Sequence, residues 1–220
     1  MKIDHKGKII YPDIKLLSTT GAVDYYQWNY KFPIKYIQRY RFKRIVKLLG
    51  KQQFSNLLEI GTGSGVFIPE LSRHTLQMHA CDIHTKFGHF PELFKIYGVS
   101  NCSYSSQSIE ETNFPDEHFD AIVAVSVLEF VPDLSKALKE IKRLLKPSGV
   151  FITICPMESR ILDFFLSFYT RKKPRDEFGG ARKKISKQLE EEFMVAEKGY
   201  MLPIIGSIFP VYTHYKLLKP

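Results

Sequence analysis

The amino-acid sequence predicts a doubly wound α/β sheet, and three observations carry that prediction. From residue 54 onward, short apolar runs alternate with helix-like stretches, an order that builds parallel strands joined by right-handed crossovers. The strongest run, FDAIVAVS (119–126), is almost wholly apolar and rich in β-branched residues, the composition of a strand covered on both faces. The first run, NLLEI (56–60), passes directly into GTGSG, where glycine frees the backbone to turn sharply between a strand and a helix.

A different kind of segment precedes the sheet. Pro33 suits a first helical turn and Gly50 a helix end, so a helix is predicted over about 33–49. Ile34, Ile37, Ile45, Leu48 and Leu49 supply its apolar face. Lys31, Lys35, Arg39, Lys43 and Lys47 recur every four residues and wind slowly around one side of the helix. Residues 1–56 hold 12 Lys or Arg against three acids (Asp4, Asp13, Asp24), and the remainder holds 20 of each sign. The whole net charge of +9 therefore lies in the first quarter.

Three uses of such a face stay open. It is a solvated outer surface, or it adsorbs to an anionic membrane with Trp28, Tyr30, Phe32, Tyr36 and Tyr40 at headgroup level, or it meets nucleic acid or an anionic substrate. Four basic residues facing a bilayer at ~1 kcal/mol each would give ~4 kcal/mol, which supports reversible docking.

Along the sheet, GTGSG leads into a helix through Leu71, LQMHACDI (76–83) is a second strand, residues 89–97 a helix, and NCSYSSQ (101–107) a weaker third strand. LSKALKEIKRLLK (134–146) sets Leu134, Leu138, Ile141 and Leu145 on one helical face and stops at Pro147 and Gly149, after which GVFITIC opens a fifth strand. The regularity lapses after Cys155. MESRILDFFLSFYT reads as an apolar helix, RKKPRDEFGGARKK as a charged connection containing Gly179 and Gly180, and 182–192 as a helix. FMVAEKGYML and VYTHYKLLK, separated by PIIGSIFP, are two last strands. The predicted organisation is a basic, aromatic extension over 1–53, serving as a lid or docking surface, and a sheet domain over 54–220. Within that domain, 156–183 is an insertion beside the substrate.

Composition excludes whole classes. With 220 residues, 44% hydrophobic and 25% charged, the chain has the make-up of a globular protein and can bury a core without disulfides or metals. Disordered, collagen-like and disulfide-rich scaffolds do not fit. The most apolar stretches, 161–169 and 201–212, are interrupted by Asp163 and by Pro203 and Pro210, and fall short of the ~18 residues a membrane span needs. MKIDHKGKIIYPD has no apolar signal core. Cys81, Cys102 and Cys155 are odd in number and lack metal-ligand spacing, as befits reduced thiols in a cytoplasmic protein.

Glycines at 61, 63 and 65 let the backbone approach a ligand with no Cβ in the way, and the helix start beyond them offers free N–H groups. A dinucleotide fingerprint needs its third glycine one position later, where Val66 stands. Asp82 closes the second strand 19 residues after Gly63, placed to accept hydrogen bonds from two vicinal ribose hydroxyls. Such charge-assisted bonds are worth ~1.5–3 kcal/mol each. A nucleoside bound across the first two strands is the inference.

Residues 57–155 resemble the core of the class I S-adenosylmethionine-dependent methyltransferases. LLEIGTGSG is similar to that family's E-x-G-x-G-x-G loop and Asp82 to its ribose-binding acid. NFPDEHFDAIVAVSVLEFVPD, followed by ALKEIKRLLKPSG, resembles its fourth-strand region and the helix behind it. The resemblance implies a Rossmann-like seven-stranded sheet of order 3-2-1-4-5-7-6 with the last strand antiparallel. It implies S-adenosylmethionine as cofactor, S-adenosylhomocysteine as product, and no metal. It also implies roles: Gly61, Thr62, Gly63 and Gly65 wrap the methionine part, and Glu59 organises this loop near the ammonium. Asp82 takes the ribose, Ile83 packs on the adenine, and Ser126 lies beside the methionyl carboxylate or the sulfonium. Where many relatives carry an Asp, this chain reads Gln107, Ser108, Ile109, so adenine recognition falls to Ser108 and the backbone of Ile109.

Methyl transfer from a sulfonium is an in-line displacement in which alignment supplies ~7–11 kcal/mol. A base is needed only if the acceptor loses a proton. Glu129, in SVLEF, is the candidate base, or else it caps or salt-bridges the next helix. Phe130 stands where many small-molecule members of the family carry a His, which favours an apolar wall. Tyr25 and Tyr26 are lid or packing residues, and His84 packs or hydrogen-bonds near the ribose. No Asn-Pro-Pro-aromatic tetrad follows strand four and no Pro-Cys nucleophile is present, which speaks against base-methylating enzymes.

The aromatic, basic stretch 25–49, ILDFFLSFY and MLPIIGSIFPVY point to a small or lipid-like acceptor and to peripheral docking at the inner membrane surface, ILDFFLSFY being otherwise a core helix. The alternatives are an RNA-directed methyltransferase using the basic helix, a non-catalytic S-adenosylmethionine-binding protein, an aminopropyl transferase whose acidic polyamine site is not evident, and a nicotinamide oxidoreductase that would need the later glycine.

Overall fold

The computed structural model describes residues 8–21, 24–156, 181–201 and 212–220. ILDFFLSFY, PIIGSIFP, Gly179, Gly180 and almost all of the 156–183 insertion lie outside the described residues. Seven strands form one sheet: β1 (Phe54–Ile60), β2 (Thr75–Asp82), β3 (Cys102–Ser106), β4 (Phe119–Val125), β5 (Leu145–Pro156), β6 (Met194–Tyr200) and β7 (Tyr212–Leu218). Their order is β3-β2-β1-β4-β5-β7-β6, as the resemblance implies. β1 to β5 run parallel, and β7 is antiparallel to both β5 and β6.

The strands at the centre are continuous apolar runs because both faces are covered. Leu57, Val123 and Ile152 turn to one face and Leu58, Ile122 and Phe151 to the other, the period of two that a pleated strand imposes. On the first face packs α1 (Lys35–Leu49), which buries Phe42, Ile45, Leu48 and Leu49, together with α2 (Ile68–Leu71) and α3 (Phe90–Tyr97). On the second packs α4 (Leu134–Leu144), with Ala137, Leu138, Ile141 and Leu144 inward, and α5 (Ala181–Glu192), through Ile185 and Leu189. Asp133 starts α4 by accepting a hydrogen bond from the Lys136 N–H at 3.0 Å, an N-cap of the kind worth ~1 kcal/mol. Among the described residues, no helix is long and apolar enough to cross a membrane.

Four boundaries differ from those the sequence suggests. Pro33 lies two residues ahead of α1, in the turn that enters it. The helix after the glycine loop is one α-turn, continued by a 3-10 turn over Ser72–His74, because β2 must begin at Thr75. α4 ends at Leu144 rather than Lys146: Lys146 precedes Pro147, whose ring disfavours helical backbone in the residue before it. Leu145 instead pairs with Phe119, and the ladder slips before Val150 pairs with Ala121, so β5 absorbs Lys146 to Gly149 as an irregular start.

Candidate functional site

A cleft of about 670 Å³ opens at the carboxyl ends of β1, β2 and β4, the switch point where strand order reverses and α/β sheets hold ligands. Its size is that of a small-molecule site.

The floor is the loop after β1. The Gly61 N–H donates to the Cys81 carbonyl at 2.8 Å, which holds the loop against β2. Gly61 has φ of 71°, and a Cβ there would stand 2.3 Å from Cγ2 of Val127, so only glycine fits. Gly63 and Thr62 also line the cleft, whereas Gly65 does not. A Cβ on Gly65 would meet Phe90 at 2.9 Å, so its place is in the packing of the loop on α3.

Two carboxylates serve this loop. The Thr62 hydroxyl donates to Glu59 Oε2 at 2.9 Å. Burial pushes the Glu59 carboxyl up to about 8, with Asp82 adding to the rise and the Thr62 hydroxyl opposing it. Burial thus favours the neutral form of Glu59, and a cation beside it would favour the ionised form. Asp82 Oδ2 accepts from the Gly63 N–H at 2.8 Å, while Oδ1 has a long contact of 3.4 Å with the His84 N–H, leaving lone pairs for hydroxyl donors. The Nδ1 of His84 accepts from Lys86 N–H at 3.0 Å, so its Nε2 donates to Gly63 O at 3.0 Å. His84 is a staple on the loop.

Past Asp82, Ile83 lies on the rim with 78% of its surface exposed, an apolar face beside the sugar-binding acid. Ser108 and buried Ile109 line the same cleft. The Ser108 hydroxyl donates to Glu110 Oε2 and accepts from Glu110 N–H, both at 3.2 Å, which keeps part of its capacity within its own turn.

The far wall comes from the segment after β4. Ser126 has a left-handed φ of 54°, sparsely populated for a residue with a Cβ. Its N–H donates to Ile154 O at 2.8 Å and its hydroxyl faces the cleft. Buried Glu129 lies on the short 3-10 turn that follows, and Phe130 stands next to it in the lining. Burial, with Glu129 nearby, pushes the Cys155 thiol well above its usual range.

The roof is the N-terminal segment. Tyr25 and Tyr26 both line the cleft, and the Tyr25 ring stacks on Trp28 at 4.4 Å. The sequence did not single out Asp24, Gln38 or Arg41, yet all three line the cleft. Asp24 accepts from the Thr20 hydroxyl at 2.8 Å and the Tyr26 N–H at 3.2 Å, and lies over Gly63. Arg41 Nη1 donates to Ser126 Oγ at 2.7 Å and Nη2 to Gln38 Oε1. Arg41 Nε is sealed from solvent with no acceptor, and no carboxylate among the described residues pairs with this guanidinium. The available signal was positional: Gln38, Arg41 and Phe42 fall at i, i+3 and i+4, one helical face, off the lysine series. Asp24 is also the last acid before Glu59.

These residues fit S-adenosylmethionine. A buried carboxyl that lacks a cation suits an ammonium, a half-buried guanidinium that pairs with no acid among the described residues suits a carboxylate, and a glycine loop leaves room between them. Asp82 and Ile83 pair an acceptor with an apolar face, as ribose and adenine require.

Comparison with known proteins agrees. A family model described as a methyltransferase domain matches residues 58–153. The ubiquinone/menaquinone biosynthesis C-methyltransferase UbiE of Rickettsia bellii is 26% identical over 190 residues, 74% of this chain and 77% of that protein. A ubiquinone biosynthesis O-methyltransferase of Alkalilimnicola ehrlichii is 26% identical over 125 residues, 56% of this chain and 51% of its own. The N-methyltransferase NodS of Bradyrhizobium japonicum, solved with S-adenosyl-L-homocysteine, shares the fold with a TM-score of 0.65 at 19% identity, covering 90% of this chain and 94% of that one. The family match runs from within β1 to within β5, across the loop and acid described above, and these likenesses together support a class I S-adenosylmethionine-dependent methyltransferase.

Proposed function

We propose that the protein methylates a small, lipid-like acceptor at the far wall of the cleft. The observation that carries this reading is the character of that wall. Phe130 and Val131 of that wall, Tyr25 and Trp28 of the roof, and Tyr212 line the same cleft as the buried carboxylate of Glu129, apolar surface with a polar group available to fix orientation. The similarity to two ubiquinone-biosynthesis methyltransferases supports it.

S-adenosylmethionine supplies an electrophilic methyl group whose leaving group is already in place. The chain's residues then bind, orient and keep out water. Asp82 takes the ribose hydroxyls and Ile83, with Ser108 and Ile109, the adenine. Gly61, Thr62 and Gly63 pass beneath the methionine part, and Gly65 keeps that loop in place. Glu59 meets the ammonium, while Arg41 and Ser126 meet the carboxylate. Glu129 accepts the proton that the acceptor gives up as its new bond forms, a contribution of about 10²–10⁴ in rate. Tyr25, Tyr26 and Phe130 exclude solvent.

The test offers labelled S-adenosylmethionine with lipid, RNA and metabolite extracts in separate reactions. Label is expected in the lipid fraction, and E129Q should lower kcat by about 10²-fold or more at unchanged S-adenosylhomocysteine affinity. Label in RNA, or in no fraction, would overturn the reading.

A further inference from the structure

The structure divides the cationic N-terminal segment into two populations. No acid occurs between Asp24 and Glu59, and this stretch carries Lys31, Lys35, Arg39, Arg41, Lys43, Arg44, Lys47 and Lys51. All three arginines are committed inward. Arg39 Nε donates to Asn29 O at 3.0 Å and its guanidinium lies over the Tyr11 ring. Arg41 reaches Ser126, and Arg44 pairs with Glu197. None of the five lysines meets a carboxylate among the described residues, and Lys31, Lys43, Lys47 and Lys51 are exposed. The planar guanidinium suits fixed internal contacts, whereas the lysine ammonium is a mobile point charge.

The aromatic residues divide in the same way. Tyr30 donates its hydroxyl to the Pro12 carbonyl, and Tyr40 packs against the core. Phe32 and Tyr36 do the opposite: they are 75% and 63% exposed, stand edge to face at 6.2 Å, and Lys35 Nζ lies 5.4 Å from the Tyr36 ring centroid. Two adjoining exposed rings next to lysines that meet no carboxylate among the described residues combine apolar and cationic surface, as an interaction site does. This corner is flanked along the chain by residues of the cleft lining, Trp28 and Asn29 before it and Gln38 after it.

We propose that Phe32 and Tyr36, with Lys31, Lys35 and Lys43, dock the protein on an anionic lipid bilayer beside the mouth of the cleft. Charge complementarity selects the partner: unpaired ammonium groups seek phosphate-bearing headgroups, and the two rings enter the interface, giving the pair of signals that membrane attachment needs. The proposal deepens the lipid-like acceptor reading by naming the phase that presents the acceptor, and it rests on that reading for its purpose alone.

The experiment is co-sedimentation of the full chain with vesicles of phosphatidylcholine, or of three parts phosphatidylcholine to one of phosphatidylglycerol. Binding should be at least about tenfold tighter on the anionic vesicles and should fall when salt rises to about 0.5 M. F32S/Y36S should weaken it about tenfold or more, and K31Q/K35Q should abolish most of the anionic preference. Both variants should keep wild-type affinity for S-adenosylhomocysteine, which certifies the fold. Equal binding to both vesicle types, or full binding by F32S/Y36S, overturns the proposal. So does displacement from vesicles by poly(U) through the lysines alone, which would assign the surface to nucleic acid. A separate assay with a short-chain, water-soluble hydroquinone distinguishes the two readings. Methylation without vesicle binding sinks the docking surface only, and vesicle binding without methylation of any lipid sinks the acceptor only.

Discussion

Arg41 Nη1 lies 2.7 Å from the hydroxyl of Ser126, so α1 is tied to the residue that follows β4, 85 positions later in the chain. Arg41 is half-buried, with Nε sealed and no acid partner among the described residues, an arrangement that a ligand carboxylate would complete. Arg41→Met should raise the Kd for S-adenosylhomocysteine about 10- to 100-fold, the loss of a charge-assisted hydrogen bond. Calorimetry with 5′-methylthioadenosine, which lacks the amino-acid tail, should show a change below about threefold. Equal weakening of both ligands would mean that Arg41 acts through packing alone.

Asp82 has a double task, since it holds the Gly63 N–H at 2.8 Å and is placed for the ribose. Asp82→Ala should weaken S-adenosylhomocysteine about 10- to 100-fold. Asp82→Asn keeps an acceptor for Gly63 and should fall between that variant and the wild type. Fluorescence of Trp28, the sole tryptophan, reports the titration because its ring lies in the cleft lining.

Glu59 gives a proton-linked signature. Its carboxyl is raised by burial to about 8 in the folded protein, so between about 4.5 and 8 the native state binds the extra proton, and stability falls as pH rises through that window. An ammonium beside the carboxyl reverses the preference. Binding of S-adenosylhomocysteine at pH 7 should therefore release close to one proton, read from calorimetry in buffers of different ionisation enthalpy. Glu59→Gln should release none, and identical release by both proteins would rule Glu59 out.

The histidines act in the opposite direction. His214, on β7, is pushed down to about 4 by burial first, then by Arg44 and Lys47 from α1, with Glu197 on β6 opposing. Burial also lowers His79 to about 4, with His118 adding to it. Each prefers to be neutral when folded, so the unfolded chain binds more protons between pH 6.5 and 4, and stability is lost as pH falls through that window. Denaturant midpoints measured across it should decline for the wild type. His214→Gln should decline less steeply, and a parallel slope would remove His214 from the account.

Some of this was legible in the linear order and some was not. The glycine loop, Asp82 and the strands of the central sheet are local patterns: a spacing of two, an apolar run, a backbone that must turn. Physical chemistry acts on them within a few residues, so the sequence by itself determined the cofactor class, the sheet order through its family resemblance, and where the loop would lie. The inward commitment of Arg41 and the outward display of Phe32 and Tyr36 were not legible, because a periodic series of cations looks the same whichever side the sheet covers. Nor was the short α2 or the early start of β5, where the demands of the next strand overrode helical periodicity. Only the tertiary structure decided which charges meet Ser126 and Glu197 and which remain in solvent, since that depends on residues far apart in sequence being brought within a few ångströms by packing on a common core.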